Sequence, residues 1–201
     1  MMAEPVPSLI PREARARLLA LARRAIRAYV LEQLLPDDSS PRQQGQRRGA
    51  FVTLHLAGRL RGCMGRPDSP ESLESAVALC AVLAASRDPR FPPVRLHEID
   101  ALQIEISILT PPEIVPVVEV FDRLHPGRHG VVVSLGAFRG LLLPQVAAEQ
   151  GWGSQRFLEE TCRKAGLPLG AWRDPEVRIE LFTAEVFSEA QYPAGAVEAG
   201  P

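Results

Sequence analysis

One pattern occurs twice in this chain, and the pair of copies constrains the fold more than any single motif does. Gly49-Ala-Phe-Val-Thr-Leu54 and Gly130-Val-Val-Val-Ser-Leu135 each lead into a glycine-containing reversal, a helical region and a closing strand. The closing strands echo each other as well, Leu102-Gln-Ile-Glu-Ile-Ser-Ile108 against Val177-Arg-Ile-Glu-Leu181. One hairpin-helix-strand unit leaves a sheet face bare, whereas two share the task of building a core. The pattern predicts an α+β fold with mainly antiparallel sheet, flanking helices and two unequal subdomains. The repeats span about residues 49–109 and 130–187, and a groove between the halves is the expected binding site.

The elements follow from period and punctuation. Residues 12–35 read as an amphipathic helix from Leu18, Ala22, Ala25, Ile26 and Tyr29. Residues 36–49 carry turn formers and charges without apolar periodicity, so they read as an exposed, mobile connection. Ala57-Gly58 supplies a hairpin reversal between residues 50–56 and 59–63. Ser69 with Pro70 predicts the cap and first position of a helix running to about Ala85. Residues 102–108 alternate strictly and form the clearest strand; Pro111, Pro112 and Pro116 then take the chain out of the sheet or to its edge. Two more helices are expected, at about 144–150, stopped by Gly151, and at about 155–165, capped by Ser154 and stopped by Gly166. The flexible termini are expected at residues 1–11 and 189–201, around a domain spanning 12–188.

Composition excludes several classes of partner. Of 201 residues, 46% are hydrophobic and 23% charged, which places the chain among globular proteins. Lys and Arg together number 23 against 24 Asp and Glu, so no global positive excess is present to hold a phosphate backbone, and nucleic acid is not the expected partner. The longest clean apolar run, Ala76 to Ala85, is far short of the roughly 20 residues of a membrane-spanning helix. No membrane association is expected, and with no secretory leader pattern at the N-terminus the expected compartment is the cytoplasm. Three widely spaced cysteines, Cys63, Cys80 and Cys162, fit reduced thiols rather than a disulfide framework or a metal knuckle. No metal site and no cofactor is legible.

The densest chemistry lies in Leu60-Arg61-Gly62-Cys63-Met64-Gly65. Glycines around a thiol let backbone amides approach a ligand, a following helix start favours negative charge, and Arg59, Arg61 and Arg66 add positive potential. Cys63 is the candidate nucleophile, Arg61 its charge partner, and Gly62 and Gly65 the close-approach positions. The alternative is a packed small side chain beside turn glycines. Register decides part of this: a two-residue turn at Ala57-Gly58 pairs Arg61 with Leu54 and Cys63 with Val52, on the apolar face, and a bulge shifts both. Asp88-Pro-Arg-Phe-Pro-Pro-Val94 offers Arg90 as an anion clamp and Phe91 as an apolar lid, or else a proline-stiffened connection in which Asp88 caps a turn. Glu105 and Ser107 share the polar face of the clearest strand and line a groove or face water. In the second half His129 is the candidate general base or donor. Pro144 and Gln145 stand where Cys63 would fall in the first copy. Trp152, Phe157, Leu158 and Cys162 read as core.

These strings together, with Lys164-Ala-Gly-Leu167, resemble the AMMECR-type domain family, and within it the AmmeMemoRadiSam system protein A group. The family hexapeptide Leu-Arg-Gly-Cys-Ile-Gly is matched by residues 60–65 with Met64 in place of isoleucine. The resemblance implies a two-subdomain α+β fold with an internal repeat. It also implies association with a Memo-like protein and a radical-SAM protein, and a suspected site at Arg61, Gly62, Cys63 and Gly65. Two functions are compatible with it: Cys63-dependent chemistry, or a non-catalytic module that binds a partner protein or carries a small-molecule ligand.

Overall fold

The computed structural model describes residues 10–33, 48–67 and 72–192. The chain divides into two compact units, one running up to Ile108 and resuming at Glu185, the other spanning Leu109–Ala184. Each is an α+β unit built on a four-stranded sheet.

In the first unit the strands are β1 (Ala50–Leu56), β2 (Arg59–Arg66), β3 (Leu102–Leu109) and β8 (Ala184–Ser188), in the order β2-β1-β3-β8. Helix α2 (Leu73–Ser86) packs on β1 and β2, and α1 (Arg12–Glu32) packs on α2. Val52, Leu54, Ile104, Ile106 and Ile108 supply the sheet side of the core, and Ala76, Val77, Cys80, Ala81 and Ala84 the helix side. The many alanines of α2 keep its backbone near the sheet. Gly62 completes that approach, because a Cβ there would lie 2.2 Å from the carbonyl oxygen of Ala84.

The second unit holds β4 (Glu113–Ile114), β5 (Gly130–Leu135), β6 (Phe138–Leu142) and β7 (Arg178–Phe182) in the order β4-β7-β5-β6, with β5 antiparallel to both neighbours. Its helices are α3 (Val120–Arg123), α4 (Pro144–Gln150) and α5 (Ser154–Lys164). Helix α5 lies on β5 and β6, burying Phe157, Leu158 and Cys162, while Trp152 packs at the margin of that core. The connectivity repeats that of the first unit: hairpin, helix, then a strand that pairs with the hairpin's first strand.

Several boundaries differ from the sequence-based expectation. Helix α1 ends at Glu32, where Gln33 takes a left-handed φ of 57° and closes the last turn. Helix α2 is capped by Ser72, whose hydroxyl accepts from the Ser75 N–H at 3.2 Å; Ser69, Pro70 and most of the 36–49 connection lie outside the described residues. Ser154 is already helical and donates its hydroxyl to the carbonyl of Leu124, so Gly153 holds the cap position. The prolines after β3 do lead to an edge, the two-residue strand β4 against β7. Strand β8 was not anticipated from the sequence.

Candidate functional site

Cys63 sits in the middle of β2, on the second arm of the hairpin, which runs on to Arg66. Ala57 and Gly58 both take positive φ, 50° and 74°, as a two-residue hairpin turn of right-handed twist demands. The register slips between Leu54 and His55, so Leu54 faces Gly62, His55 faces Leu60, and Arg61 is the bulged residue. That extra residue places Cys63 opposite Thr53, and Thr53 in turn opposite Glu105. Cys63, Thr53 and Glu105 therefore form one row across three strands on the face turned away from α2. Phe51 and Ser107 form the neighbouring row with Gly65.

The row is polar at the sulfur. The Thr53 hydroxyl donates to Cys63 Sγ at 3.4 Å, and Cys63 is part-buried while Cys80 and Cys162 are fully buried. Below it, the Cys63 backbone N–H donates to Asp88 Oδ2 at 2.8 Å. Asp88 also accepts from the Arg90 guanidinium at 2.9 and 2.7 Å and from the Arg90 N–H at 3.0 Å. Its side chain is 2% exposed. The Arg90 guanidinium holds its carboxyl down at about 2 against the opposing effect of burial, with help from the Cys63 and Arg90 amides. A fixed negative charge beneath the strand thus pins the 88–94 loop to the backbone of Cys63. The Arg90 guanidinium lies near enough to sense the Cys63 sulfur, but its charge is largely matched by Asp88.

Arg61 and the glycines do other work than expected. The Arg61 guanidinium bonds both oxygens of Glu98, at 2.8 and 2.9 Å, and donates to the carbonyls of Pro92 and Pro93. This pair, 12% and 13% exposed, keeps the Glu98 carboxyl below its usual range and ties β2 to the same loop from its other end. Arg61 is thereby committed to Glu98 rather than to charge at Cys63. Gly62 faces α2, and a Cβ on Gly65 would lie 2.2 Å from the Phe51 ring, so protein fills the space over both glycines. Phe91 is half-buried, with the Arg90 guanidinium 5.5 Å from its ring centre. Glu105 is half-buried and Ser107 fully buried, and both have interaction partners.

The second unit holds the remaining candidates. His129 lines a cleft of about 360 Å³ with Arg123, Glu113 and the Thr110 and Thr183 pair. Its Nδ1 accepts from the His125 N–H at 3.1 Å, and burial, with Arg128 and His125 nearby, pushes its titration below the usual histidine range. Pro144 is buried at the start of α4, and Gln145 is half-buried on the same helix. Neither occupies the place of Cys63. Gly140 is the counterpart of Gly62, since a Cβ there would press on the backbone of Thr161 in α5 and of Ala165, which caps it. Counting from it, Leu141 takes the position of Cys63, and the row Cys63-Thr53-Glu105 corresponds to Leu141-Val132-Glu180. The second copy carries no thiol and no hydroxyl at the corresponding positions.

Comparison with known proteins supplies the lineage. The family model AMMECR1 matches residues 19–187. The chain belongs to the AMMECR1 family. Protein PH0010 of Pyrococcus horikoshii is 42% identical over 193 residues, covering 92% of this chain and 93% of that protein. A relative from Methanothermobacter thermautotrophicus is 46% identical over 178 residues, 86% of this chain and 92% of its own. The crystal structure of the uncharacterized PH0010 matches this AMMECR1 chain with a TM-score of 0.75, covering 86% of this chain and 90% of the other. Among the described residues of the AMMECR1 chain, no helix is long and apolar enough to cross a membrane.

Asp88, Thr53 and Glu98 are the site residues that sequence reasoning missed. Thr53 carried a signal, the alternation of Phe51, Thr53 and His55 against Val52 and Leu54. Asp88 was read only as a turn former, which it is, since Arg90 N–H bonds its Oδ1; its second role depends on a strand 25 residues away.

Proposed function

We propose that this AMMECR1 domain acts through the Cys63 thiol, as the protein A component of an AmmeMemoRadiSam-type system working with a Memo-like protein and a radical-SAM protein. The observation that carries the first part is the Thr53 hydroxyl donating to Sγ on a part-buried sulfur. The donated hydrogen bond and the backbone anchor to Asp88 together fix where the sulfur stands, as a positioned nucleophile requires. Glu105 in the same row is the nearest acid-base candidate by register. The partner assignment is supported by the hexapeptide at residues 60–65 and by family membership.

The test is a comparison of Cys63→Ser with the natural chain. The purified proteins are analysed by untargeted mass spectrometry for retained or covalently held small molecules and are mixed with Memo-like and radical-SAM proteins from one genome. Loss of an adduct or of turnover with complex formation intact supports covalent chemistry at Cys63. Loss of complex formation in Cys63→Ser supports the second reading, a carrier or docking module using the same surface. Unchanged behaviour in every assay contradicts both.

A further inference from the structure

A second concave site lies in the first unit, and it does not include Cys63. It is a cleft of about 460 Å³ between the β1–β2 hairpin and the segment 91–98. That volume is in the range of pockets that take small organic molecules. Leu56, Leu60, Phe91 and Pro92 give it apolar walls. The Arg61–Glu98 pair also lines it, and since each partner is little exposed, their charges cancel inside the cleft rather than facing an entering molecule.

The charges left over are positive. Arg59 and Arg95 line the cleft with exposed side chains, and among the described residues neither side chain forms an ion pair. Exposed His97 stands beside them. Among the described residues Glu98 is the one carboxylate lining the cleft, and it is fully engaged: both oxygens bind Arg61, and Oε2 also accepts the Arg95 N–H at 2.7 Å. In a chain whose net charge is -1, this is a local excess of cations over an apolar surface. Guanidinium groups recognise carboxylate and phosphate in a forked geometry, whereas bare hydrocarbon walls recognise the body that carries them.

We propose that this cleft binds a small organic anion, an aromatic or branched apolar body bearing one carboxylate or phosphate. Arg59 and Arg95 take the anionic head, and Leu56, Leu60 and Phe91 take the body. The assignment goes beyond the Cys63 reading and stands even if Cys63 is inert. The two sites share a connection, because the loop that lines the cleft at Phe91 and Pro92 begins at Asp88, which holds the Cys63 N–H.

The probes are 2-naphthoate, 2-naphthyl phosphate and the neutral 2-naphthamide, titrated calorimetrically into the full chain. One of the two anions is expected to bind one to one and about tenfold or more tighter than the amide, and which one it is identifies the head group. The double variant Arg59→Gln with Arg95→Gln is expected to lose about tenfold in affinity with its melting temperature unchanged, and the control double variant Arg24→Gln with Arg128→Gln to lose nothing. Absence of saturable binding, equal affinity for the amide, equal loss in the control, or displacement by inorganic phosphate at the concentration of the organic anion would each overturn the proposal.

Discussion

Asp88 shows how much a single side chain decides here. It joins a turn, an arginine and the backbone of the cysteine strand through four hydrogen bonds. Its carboxyl is held at about 2 in the folded chain against an ordinary 3.8, so it stabilises the fold at every pH above the ordinary value and loses that contribution as pH falls towards 2. The size is on the order of 2 kcal/mol, allowing for the exposure of Arg90. Asp88→Asn is therefore expected to lower stability by about that amount at pH 7, with the gap to the natural chain closing between about pH 4 and pH 2 in urea titrations. A gap that is constant across that window contradicts the assignment. Gly62 makes the opposite point, since it matters for what it lacks. Gly62→Ala drives a methyl into the Ala84 carbonyl and is expected to cost about 3 kcal/mol by thermal or urea unfolding. The sequence made Gly62 look like a ligand position because nothing local distinguishes a glycine that admits a ligand from one that admits a helix.

At the scale of elements, the hairpin β1–β2 carries both the site and its main ambiguity. Alternation in residues 50–56 and the Ala57-Gly58 reversal were readable from the sequence, whereas a regular register and a bulged one that moves Cys63 off the apolar face both stayed open. Which residue would bulge was not, because that choice follows from Arg61 reaching Glu98 and the prolines of the 88–94 loop, contacts more than 30 residues away in sequence. Ala57 holds a left-handed φ that costs a residue with a Cβ about 1 kcal/mol. Ala57→Asn, which creates the Asn-Gly turn, is expected to raise stability by about 0.5–1 kcal/mol without changing the sheet, as a shift in the thermal midpoint. Strand β8 escaped sequence reading for a different reason: it follows β7 with only Thr183 between them.

For the whole molecule, the strand connectivity of the first unit recurs in the second, yet the corresponding positions carry different side chains. The rows Cys63-Thr53-Glu105 and Leu141-Val132-Glu180 share a scaffold position, but only the first holds a sulfur. The first unit is also discontinuous, closed by residues that follow the second. Phe187 on β8 is 1% exposed in its core, and Arg23 of α1 is clamped by Glu189 at 2.6 Å. Phe187→Ala is expected to cost about 3–5 kcal/mol, seen as faster amide exchange in β1, β2 and β3. Both tryptophans, Trp152 and Trp172, lie in the second unit, so their fluorescence monitors that unit in the same sample.

The account as a whole depends on Cys63 being a reachable thiol held by Thr53. Native protein is treated with iodoacetamide and each cysteine peptide is followed by mass spectrometry over time, in the natural chain and in Thr53→Val. The expected result is modification at Cys63 with Cys80 and Cys162 untouched, and a rate a few-fold lower in Thr53→Val, as the loss of about 1 kcal/mol of hydrogen bonding implies. A Cys63 that stays unmodified until denaturant exposes all three cysteines, or that reacts equally fast without the Thr53 hydroxyl, contradicts the claim.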